Sequence, residues 1–291
     1  MKKVAFIMSV YKNDKLKYFK EAVESIINQD YGFENINIYL GIDGEIGNDI
    51  EDYIKSNSHY FYKIIKNETN QGLAYTLNRL IDALDNEEYI FRMDSDDISK
   101  LDRVTKQIMY MENNPDIEIS GGSIEEIDED GNIKGIRKYP KDTQSAKRYI
   151  PKASIFAHPT VCFRKSFFDK CFRYDKRYTG IEDIALWFVL LENDIQIGNI
   201  EDIVLNFRLS KNLYNRRGYA KAFDEFKIYW NGTLKLYGIN YRLIYSIMRL
   251  ITRFMPPSIV KIIYTKNIRK ILNYKLIRTS FLCRGVYLAV S

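Results

Sequence analysis

The sequence predicts an α/β fold, a doubly wound, mostly parallel sheet followed by a basic helical extension. Apolar runs of strand length alternate with segments that carry apolar residues at helical spacing, four times within about the first 115 residues. Residues 226–291 contain twelve Lys and Arg and no Asp or Glu, whereas residues 1–225 have a net charge of −6. We therefore expect a body at residues 1–219 and a tail at residues 220–291.

The first strand is predicted at Val4–Val10, whose continuous apolar run suits a parallel strand buried on both faces. Residues 16–29 follow with an apolar stripe at helical spacing. The alternation continues with strands at 36–42, 62–65 and 88–93 and helices at 73–84 and 101–113. Beyond Pro115 the pattern changes to a strand pair, a short strand, a helix and two further strands. These are predicted at residues 117–127, 133–139, 160–164, 181–193, 195–200 and 203–209.

The amino-acid composition excludes several classes of protein and of metal site. Hydrophobic residues make up 46% of the chain and charged residues 28%, which is typical of a globular protein. Three cysteines without a CxxC spacing exclude a disulfide scaffold or a zinc ribbon. With only two histidines, any metal would be held by oxygen ligands. We interpret the apolar run near the N-terminus as a strand rather than a signal peptide, and we expect a cytoplasmic protein.

Polar residues follow the predicted strands where ligands bind in doubly wound sheets, at the carboxyl ends. The densest group is the aspartate cluster Asp94, Asp96 and Asp97. In an extended chain Asp94 and Asp96 share a face, and carboxylates so close together repel unless a cation lies between them. Magnesium binds one or two protein carboxylates together with substrate phosphates, so this cluster predicts a metal-bridged diphosphate. An acidic N-cap for the helix that follows is the alternative.

Six segments of the chain form an ordered set of motifs: SVYKND with SIINQ downstream, IDG at 42–44, NQGLAYTLNRLI at 70–81, RMDSDD at 92–97, AHPTVCFRKSFF at 157–168 and GIEDIALWFVLL at 180–191. Taken in order, they resemble the family 2 glycosyltransferases, and the last two resemble the bacterial branch that builds capsule, O-antigen and other surface polysaccharides. The resemblance covers about residues 3–210 and implies a GT-A fold with a nucleotide-binding sheet and inverting transfer from a nucleotide-activated sugar, which we expect to be a UDP-sugar.

The resemblance also implies roles for individual residues. Asp43 would accept a hydrogen bond from the uracil N3–H, and Asp96 would coordinate Mn²⁺ or Mg²⁺ on the diphosphate. Asp97, His158 and Arg208 are weaker candidates for contacts with the metal shell, the acceptor or the diphosphate. The residues expected to bind the nucleotide sugar are Ser9, Tyr11, Asp43, Gly72, Asn78, Arg92, Asp94 and Ser95.

Two of these assignments have a structural alternative. His158 precedes Pro159 and a predicted strand, so a structural histidine at a turn is as good an interpretation as an acceptor contact. Arg208 matches a segment in which the family commonly has a histidine two residues later. Ser210 stands there in this chain, which removes one possible ligand.

The general base is predicted within the acidic pair Glu182 and Asp183. Acidic residues in the first turn also stabilise a helix dipole, and Thr179 with Glu182 fits a capping box. The pair alone therefore leaves both interpretations open. The resemblance implies that Asp183 is the base, because the Asp of the matching acidic pair is the general base in the family.

The tail interleaves basic residues with apolar and aromatic ones at residues 241–255 and 258–272, on either side of Pro256 and Pro257. Basic amphipathic helices suit an anionic membrane surface, and we expect peripheral attachment to the inner face of the cell membrane. Packing of these helices on the body is the alternative. Nucleic acid is not an expected partner, because the sequence contains no recognisable nucleic-acid-binding module.

The predicted function is therefore a metal-dependent inverting glycosyltransferase whose acceptor is a saccharide, expected to be linked to polyprenyl diphosphate. A magnesium-dependent phosphotransferase is an alternative, because Asp94-x-Asp96 after a strand resembles an aspartyl-phosphate motif. That motif normally follows the first strand, whereas here it follows the fourth. A non-catalytic membrane adaptor that keeps the fold is a further alternative, which the presence of Asp94, Asp96 and Asp183 disfavours.

Overall fold

The computed structural model describes residues 1–209 and 219–255 of the chain. Its centre is a nine-stranded sheet. Four strands form a parallel block in the order β3-β2-β1-β4, as the alternating pattern predicts. These strands are β1 (Val4–Val10), β2 (Ile36–Asp43), β3 (Phe61–Asn67) and β4 (Tyr89–Met93).

Helices cover both faces of this block. They are α1 (Leu16–Ile27), α2 (Asn48–Ser56) and α3 (Leu73–Asp82). Because successive side chains of a strand point to opposite faces, Phe6 and Met8 of β1 join the core under α1 and α2. Ala5 and Ile7 join the core under α3. Burial on both faces is the reason that β1 is a continuous apolar run.

The second half extends the sheet with antiparallel and parallel pairs. β8 lies antiparallel between β4 and β6, while β6 and β9 are parallel to each other. The elements are β5 (Ile98–Ser99), α4 (Arg103–Asn113), β6 (Ile119–Ile127), β7 (Ile133–Arg137), α5 (Thr143–Tyr149), β8 (Cys162–Arg164), α6 (Lys165–Asp169), α7 (Glu182–Glu192) and β9 (Ile197–Arg208).

One prediction of the sequence is wrong here. The two strands expected at 195–200 and 203–209 are a single strand, β9, because its pairing with β6 continues through a register shift near Ser123. The shift accommodates polar residues that interrupt the apolar run at Glu201 and Asp202, both of which are exposed. Helix α5 was not predicted from the pattern.

Two helices of the tail lie within the described residues, α8 (Tyr219–Tyr237) and α9 (Leu243–Phe254). Helix α8 packs on α7, where the rings of Tyr229 and Phe188 meet edge to face with centroids 5.5 Å apart. A Cβ at Gly232 would lie 2.2 Å from a ring carbon of Phe188, so the two helices approach too closely for any larger residue. This part of the tail is packed on the body.

Helix α9 packs on α8 through ion pairs. Arg249 and Arg253 both bind the carboxylate of Glu225, and the guanidinium of Arg249 lies 3.9 Å from the ring centroid of Tyr229. Ile251 and Phe254 are about half exposed. Within the described ranges, no helix is both long and apolar enough to span a bilayer. The second predicted tail segment, 258–272, lies outside the described residues.

Candidate active site

A large cavity lies beyond the carboxyl end of β4 and beside the N-terminus of α7. Its volume is about 1520 Å³. Five of the residues singled out in the sequence line it together, namely Arg92, Asp94, His158, Glu182 and Asp183. The other predicted residues lie at neighbouring strand ends or behind this wall and are not among its lining residues.

The carboxylate of Asp43, at the end of β2, organises the loop before α3. Its two oxygens accept hydrogen bonds from the backbone N–H groups of Gln71 and Gly72, each at 2.8 Å. The side-chain amide of Asn67 donates to the same carboxylate at 2.8 Å. Gly72 has a φ of 90°, a backbone conformation that favours glycine. No atom lies within 4 Å of the position that a Cβ would take, so the space beside this residue is open.

The oxygens of Asp94, Asp96 and Asp97 come within 4.8 Å of one another. Burial and the charge of Asp94 raise the pKa of Asp96 to about 6. Burial, together with its two neighbours, also raises the pKa of Asp97 well above its ordinary value. The Oδ2 atom of Asp97 is buried and has no hydrogen-bond partner in the described structure.

A divalent cation would fit these carboxylates because hard ions prefer oxygen ligands and would offset their mutual repulsion. The N-cap alternative for the cluster is not supported. Helix α4 begins later, at Arg103, and its N-cap residue is Asp102.

Two arginines fix the aspartate cluster from opposite sides. Arg92 is 2% exposed and pairs with Asp94. Burial lowers the pKa of Arg92, but the nearby Asp94, Tyr174 and Asp97 together raise it by more. The pKa of Arg92 is therefore above its ordinary value, and the side chain stays charged. Arg208 donates from its backbone N–H to Asp97 at 2.8 Å and from Nε to the carbonyl of Asp96 at 2.8 Å.

The remaining guanidinium nitrogens of Arg208 have other partners. They donate to Glu21 and to the carbonyls of Asp128 and Glu129, and the group lies 4.2 Å from the ring centroid of Tyr18. Arg208 therefore positions the aspartate loop in this structure. Its predicted contact with a diphosphate or acceptor stays a prediction.

The loop after β1 contributes an acid that the sequence reasoning missed. Asp14 accepts a hydrogen bond from the backbone N–H of Tyr11 at 2.9 Å and interacts with the side chain of Ser95. Burial raises the pKa of Asp14 to about 7, and the charges of Asp96 and Asp94 add to this. Asp14 thus joins the Ser9–Tyr11 loop to the aspartate cluster. Its signals in the sequence are its place at the end of the SVYKND segment and its position three residues after Tyr11, in a turn.

Asn78 and His158 are joined through Tyr174. Asn78 donates to the carbonyl of Tyr174 at 2.8 Å and accepts from its backbone N–H at 3.0 Å. The hydroxyl of Tyr174 lies 2.8 Å from Nε2 of His158. Burial, and then Arg92, lower the pKa of His158 well below its ordinary value, so the ring is neutral. His158 is therefore a structural partner of Tyr174 that also lines the cavity.

The acidic pair at the start of α7 divides into two environments. Glu182 is 4% exposed, and its Oε2 accepts from the backbone N–H groups of Gly180 and Ile181. Asp183 lines the cavity. Burial raises the pKa of Asp183 to about 7, with a further contribution from the charge of Glu182. Both side chains line the cavity, but Glu182 also fixes the turn through its hydrogen bonds. The role of Asp183 as the base stays a prediction.

The opposite end of the cavity is apolar and was not predicted. It is formed by Tyr149 of α5, by residues that follow α5 such as Phe156, by Tyr229 of α8 and by residues of α9. The α9 residues that line it include Ile244, Tyr245 and Met248. Lys152 also lines this end, with Nζ 5.5 Å from the ring centroid of Tyr245.

Comparison with known proteins adds the family. The model for "Glycosyl transferase family 2" matches residues 5–172. An Escherichia coli protein described as UDP-Gal:alpha-D-GlcNAc-diphosphoundecaprenol beta-1,3-galactosyltransferase is 30% identical over 93% of this chain and 98% of its own length. The E. coli O-antigen biosynthesis glycosyltransferase WbnJ is 35% identical over 71% of this chain and 79% of its own length.

A solved structure shows the same fold. The mannosyltransferase PcManGT from Pyrobaculum calidifontis, described as a complex with GDP-Man and Mn²⁺, has a TM-score of 0.59 with 12% identity. The alignment covers 98% of this chain and 87% of that protein. The GT-A fold expected from the sequence is therefore confirmed.

Proposed function

The chain belongs to glycosyltransferase family 2, and from this premise we propose that it moves a sugar from a UDP-sugar to a saccharide acceptor with inversion at the anomeric carbon. The observation that carries the proposal is the placement of Asp94 and Asp183 on one cavity, with the rest of the aspartate cluster directly behind Asp94. This arrangement supports a donor diphosphate site and an acceptor base that share one cavity.

On the donor side, the loops at Ser9–Tyr11 and Gly72 hold the nucleotide and Asp94 contacts the donor. Asp43 has one protein donor on Oδ2, which leaves room for a further hydrogen bond such as that from uracil N3–H. Asp96 and Asp97 would hold Mn²⁺ or Mg²⁺. When bound, the metal stabilises negative charge on the diphosphate leaving group.

On the acceptor side, Asp183 takes the proton of the attacking hydroxyl. The hydroxyl oxygen forms a bond to the anomeric carbon as the bond from that carbon to the diphosphate oxygen breaks. A single displacement from the face opposite the leaving group inverts the configuration, as in inverting hydrolases. A carboxylate with a pKa of about 7 suits this role, since it is both available and basic near neutral pH.

We further propose that the acceptor is a sugar on a prenyl diphosphate and that the protein attaches to the inner face of the cell membrane. Support comes from the acceptor named in the description of the galactosyltransferase relative and from the outer surface of α9. Ile251 and Phe254 of that helix are 50% and 47% exposed, do not line the cavity and belong to the basic tail of the sequence. Apolar side chains beside positive charge suit an anionic membrane surface.

The aspartyl-phosphate alternative has no support in the geometry, because Asp94 is paired with the buried Arg92 rather than free to attack a phosphoryl group. The test of the proposed function is thermal stability in the presence of UDP, GDP and dTDP, with and without Mn²⁺. We expect UDP with Mn²⁺ to raise the melting temperature most. An equal shift with all three nucleotides, or a UDP shift that persists in EDTA, would contradict the donor and metal assignments respectively.

A further inference from the structure

We propose that the apolar end of the cavity binds the diphosphate and the first isoprene units of the acceptor, with Lys152 and Arg242 on the diphosphate and α9 along the chain. This inference rests on the proposed function, because it assigns the acceptor of the same reaction. It differs from membrane attachment in that it concerns the inner side of α9, which faces the catalytic centre.

The first argument is charge. Burial lowers the pKa of Lys152, and the nearby charge of Arg242 lowers it further. The two cations are therefore neighbours. Within residues 1–209 and 219–255, neither side chain has a carboxylate at ion-pair distance, whereas Arg249 and Arg253 share Glu225. Lys152 lines the cavity and Arg242 is its neighbour. Two neighbouring cations without an ion-paired carboxylate suit a diphosphate, whose oxygens accept charge-assisted hydrogen bonds.

Aromatic rings hold both cations in place. The guanidinium of Arg242 lies 4.6 Å from the ring centroid of Tyr237 and 5.0 Å from that of Tyr241. The ammonium of Lys152 lies over Tyr245. Contact with a ring face leaves the polar edge of a guanidinium, or the N–H groups of an ammonium, available to a second partner.

The second argument is the apolar wall. Ile244 is 53% exposed and Met248 is 46% exposed, and both residues line the cavity. They lie one helical turn apart on α9 and form a continuous strip beside Tyr241 and Tyr245. Branched hydrocarbon laid on this strip would remove its apolar surface from water.

The third argument is size and continuity. A cavity of about 1520 Å³ exceeds the roughly 300–1,000 Å³ of an ordinary small-molecule site. Both Asp183 and Lys152 line this same space. An acceptor whose sugar hydroxyl lies at Asp183 would therefore extend its diphosphate and lipid toward α9.

Farnesyl diphosphate is a suitable probe, because it has the diphosphate and three isoprene units without a sugar. We would titrate it, below its micellar concentration, into the full chain saturated with UDP and Mn²⁺, so that the donor site is occupied. Lys152→Met and the double substitution Ile244→Ser with Met248→Ser should each weaken binding about tenfold or more, equivalent to about 1.4 kcal/mol.

Matched controls separate this site from general charge and hydrophobicity. Lys165→Met removes an exposed lysine outside the cavity. Ile251→Ser with Phe254→Ser removes apolar side chains of similar exposure from the same helix that do not line the cavity. Both controls should change the affinity for farnesyl diphosphate by less than about twofold, and retained UDP binding would show that every variant is folded.

The outcomes separate the inference from the proposed function. If farnesyl diphosphate does not bind while UDP does, or if control and cavity variants weaken it equally, the inference is wrong and the proposed function stands. If inorganic pyrophosphate binds this site as tightly as farnesyl diphosphate, the proposed contact between α9 and the isoprene units is wrong. If UDP itself does not bind, the proposed function fails, and the same titration in EDTA still decides the inference.

Discussion

The two walls of the cavity are built on different principles. The donor wall is backed by Asp43, Asp97 and Arg208, which make hydrogen bonds with main-chain groups, while Oδ2 of Asp97 has no partner in the described structure. On the acceptor wall, Ile244 and Met248 are half exposed and Lys152 has no carboxylate partner in the described ranges. The donor wall is preorganised, whereas the acceptor wall presents groups that are complete only when a ligand covers them.

The family model follows this division only in part. It matches residues 5–172, which contain Asp43, the aspartate cluster and Lys152 but not Arg208, Asp183, α8 or α9. We therefore expect the shared part of the chain to hold most of the donor, and the part beyond the match to contribute most to the choice of acceptor.

The substitution expected to weaken donor binding most is Asp96→Ala. We expect the affinity for UDP in the presence of Mn²⁺ to fall by more than about 100-fold, since even groups in the outer shell of a metal cost 10–100-fold. Titration calorimetry would measure it, with Asp102→Ala as a control because Asp102 is an exposed acid paired with Lys106. Unchanged affinity in Asp96→Ala would remove Asp96 from the metal site.

On the acceptor side, Asp183→Asn should leave UDP affinity within about twofold while slowing transfer by roughly 10²–10⁴-fold, the usual contribution of a positioned base. Steady-state kinetics with the same donor would measure both. Glu182→Gln is the matched comparison. A larger loss of turnover in Glu182→Gln, with the fold preserved, would mean that the base is the other carboxylate.

The pH profile sharpens the same comparison. Because burial raises the pKa of Asp183 to about 7 and the base must be unprotonated, turnover should rise with pH through about 7 and fall about tenfold for each unit below. In Asp183→Asn this rise should disappear. A wild-type profile that is flat between pH 5 and 8 would contradict the assignment.

The smallest effect is expected at the membrane. Removing residues 256–291 eliminates seven of the twelve basic residues of the segment 226–291 and keeps α8 and α9 packed. Each basic residue near an anionic surface contributes about 1 kcal/mol before screening, so the shortened chain should sediment less with anionic liposomes at low salt. UDP binding should be unchanged. Equal sedimentation of both chains would exclude the deleted charges as the anchor.

Sequence reasoning succeeded where local pattern is sufficient. The continuous apolar run of β1 reflects burial on both faces, and the aspartates after β4 follow directly from the end of a strand. It was less successful where distant segments meet. Lys152 reaches Tyr245 across 93 positions of the chain, and Asp14 interacts with Ser95 across 81, so no local pattern predicts either contact.

The packing of Phe188 against Gly232 has a consequence for the cooperativity of unfolding. Phe188 lies on the helix that begins with Glu182 and Asp183, so loss of α8 would expose this ring and loosen the helix that carries the base. Helices α7 and α8 should therefore open together in native-state hydrogen exchange, as one foldon, with similar protection of their amides. A protease that cuts within α8 would then inactivate transfer from a distance, without touching any residue that lines the cavity on the donor side.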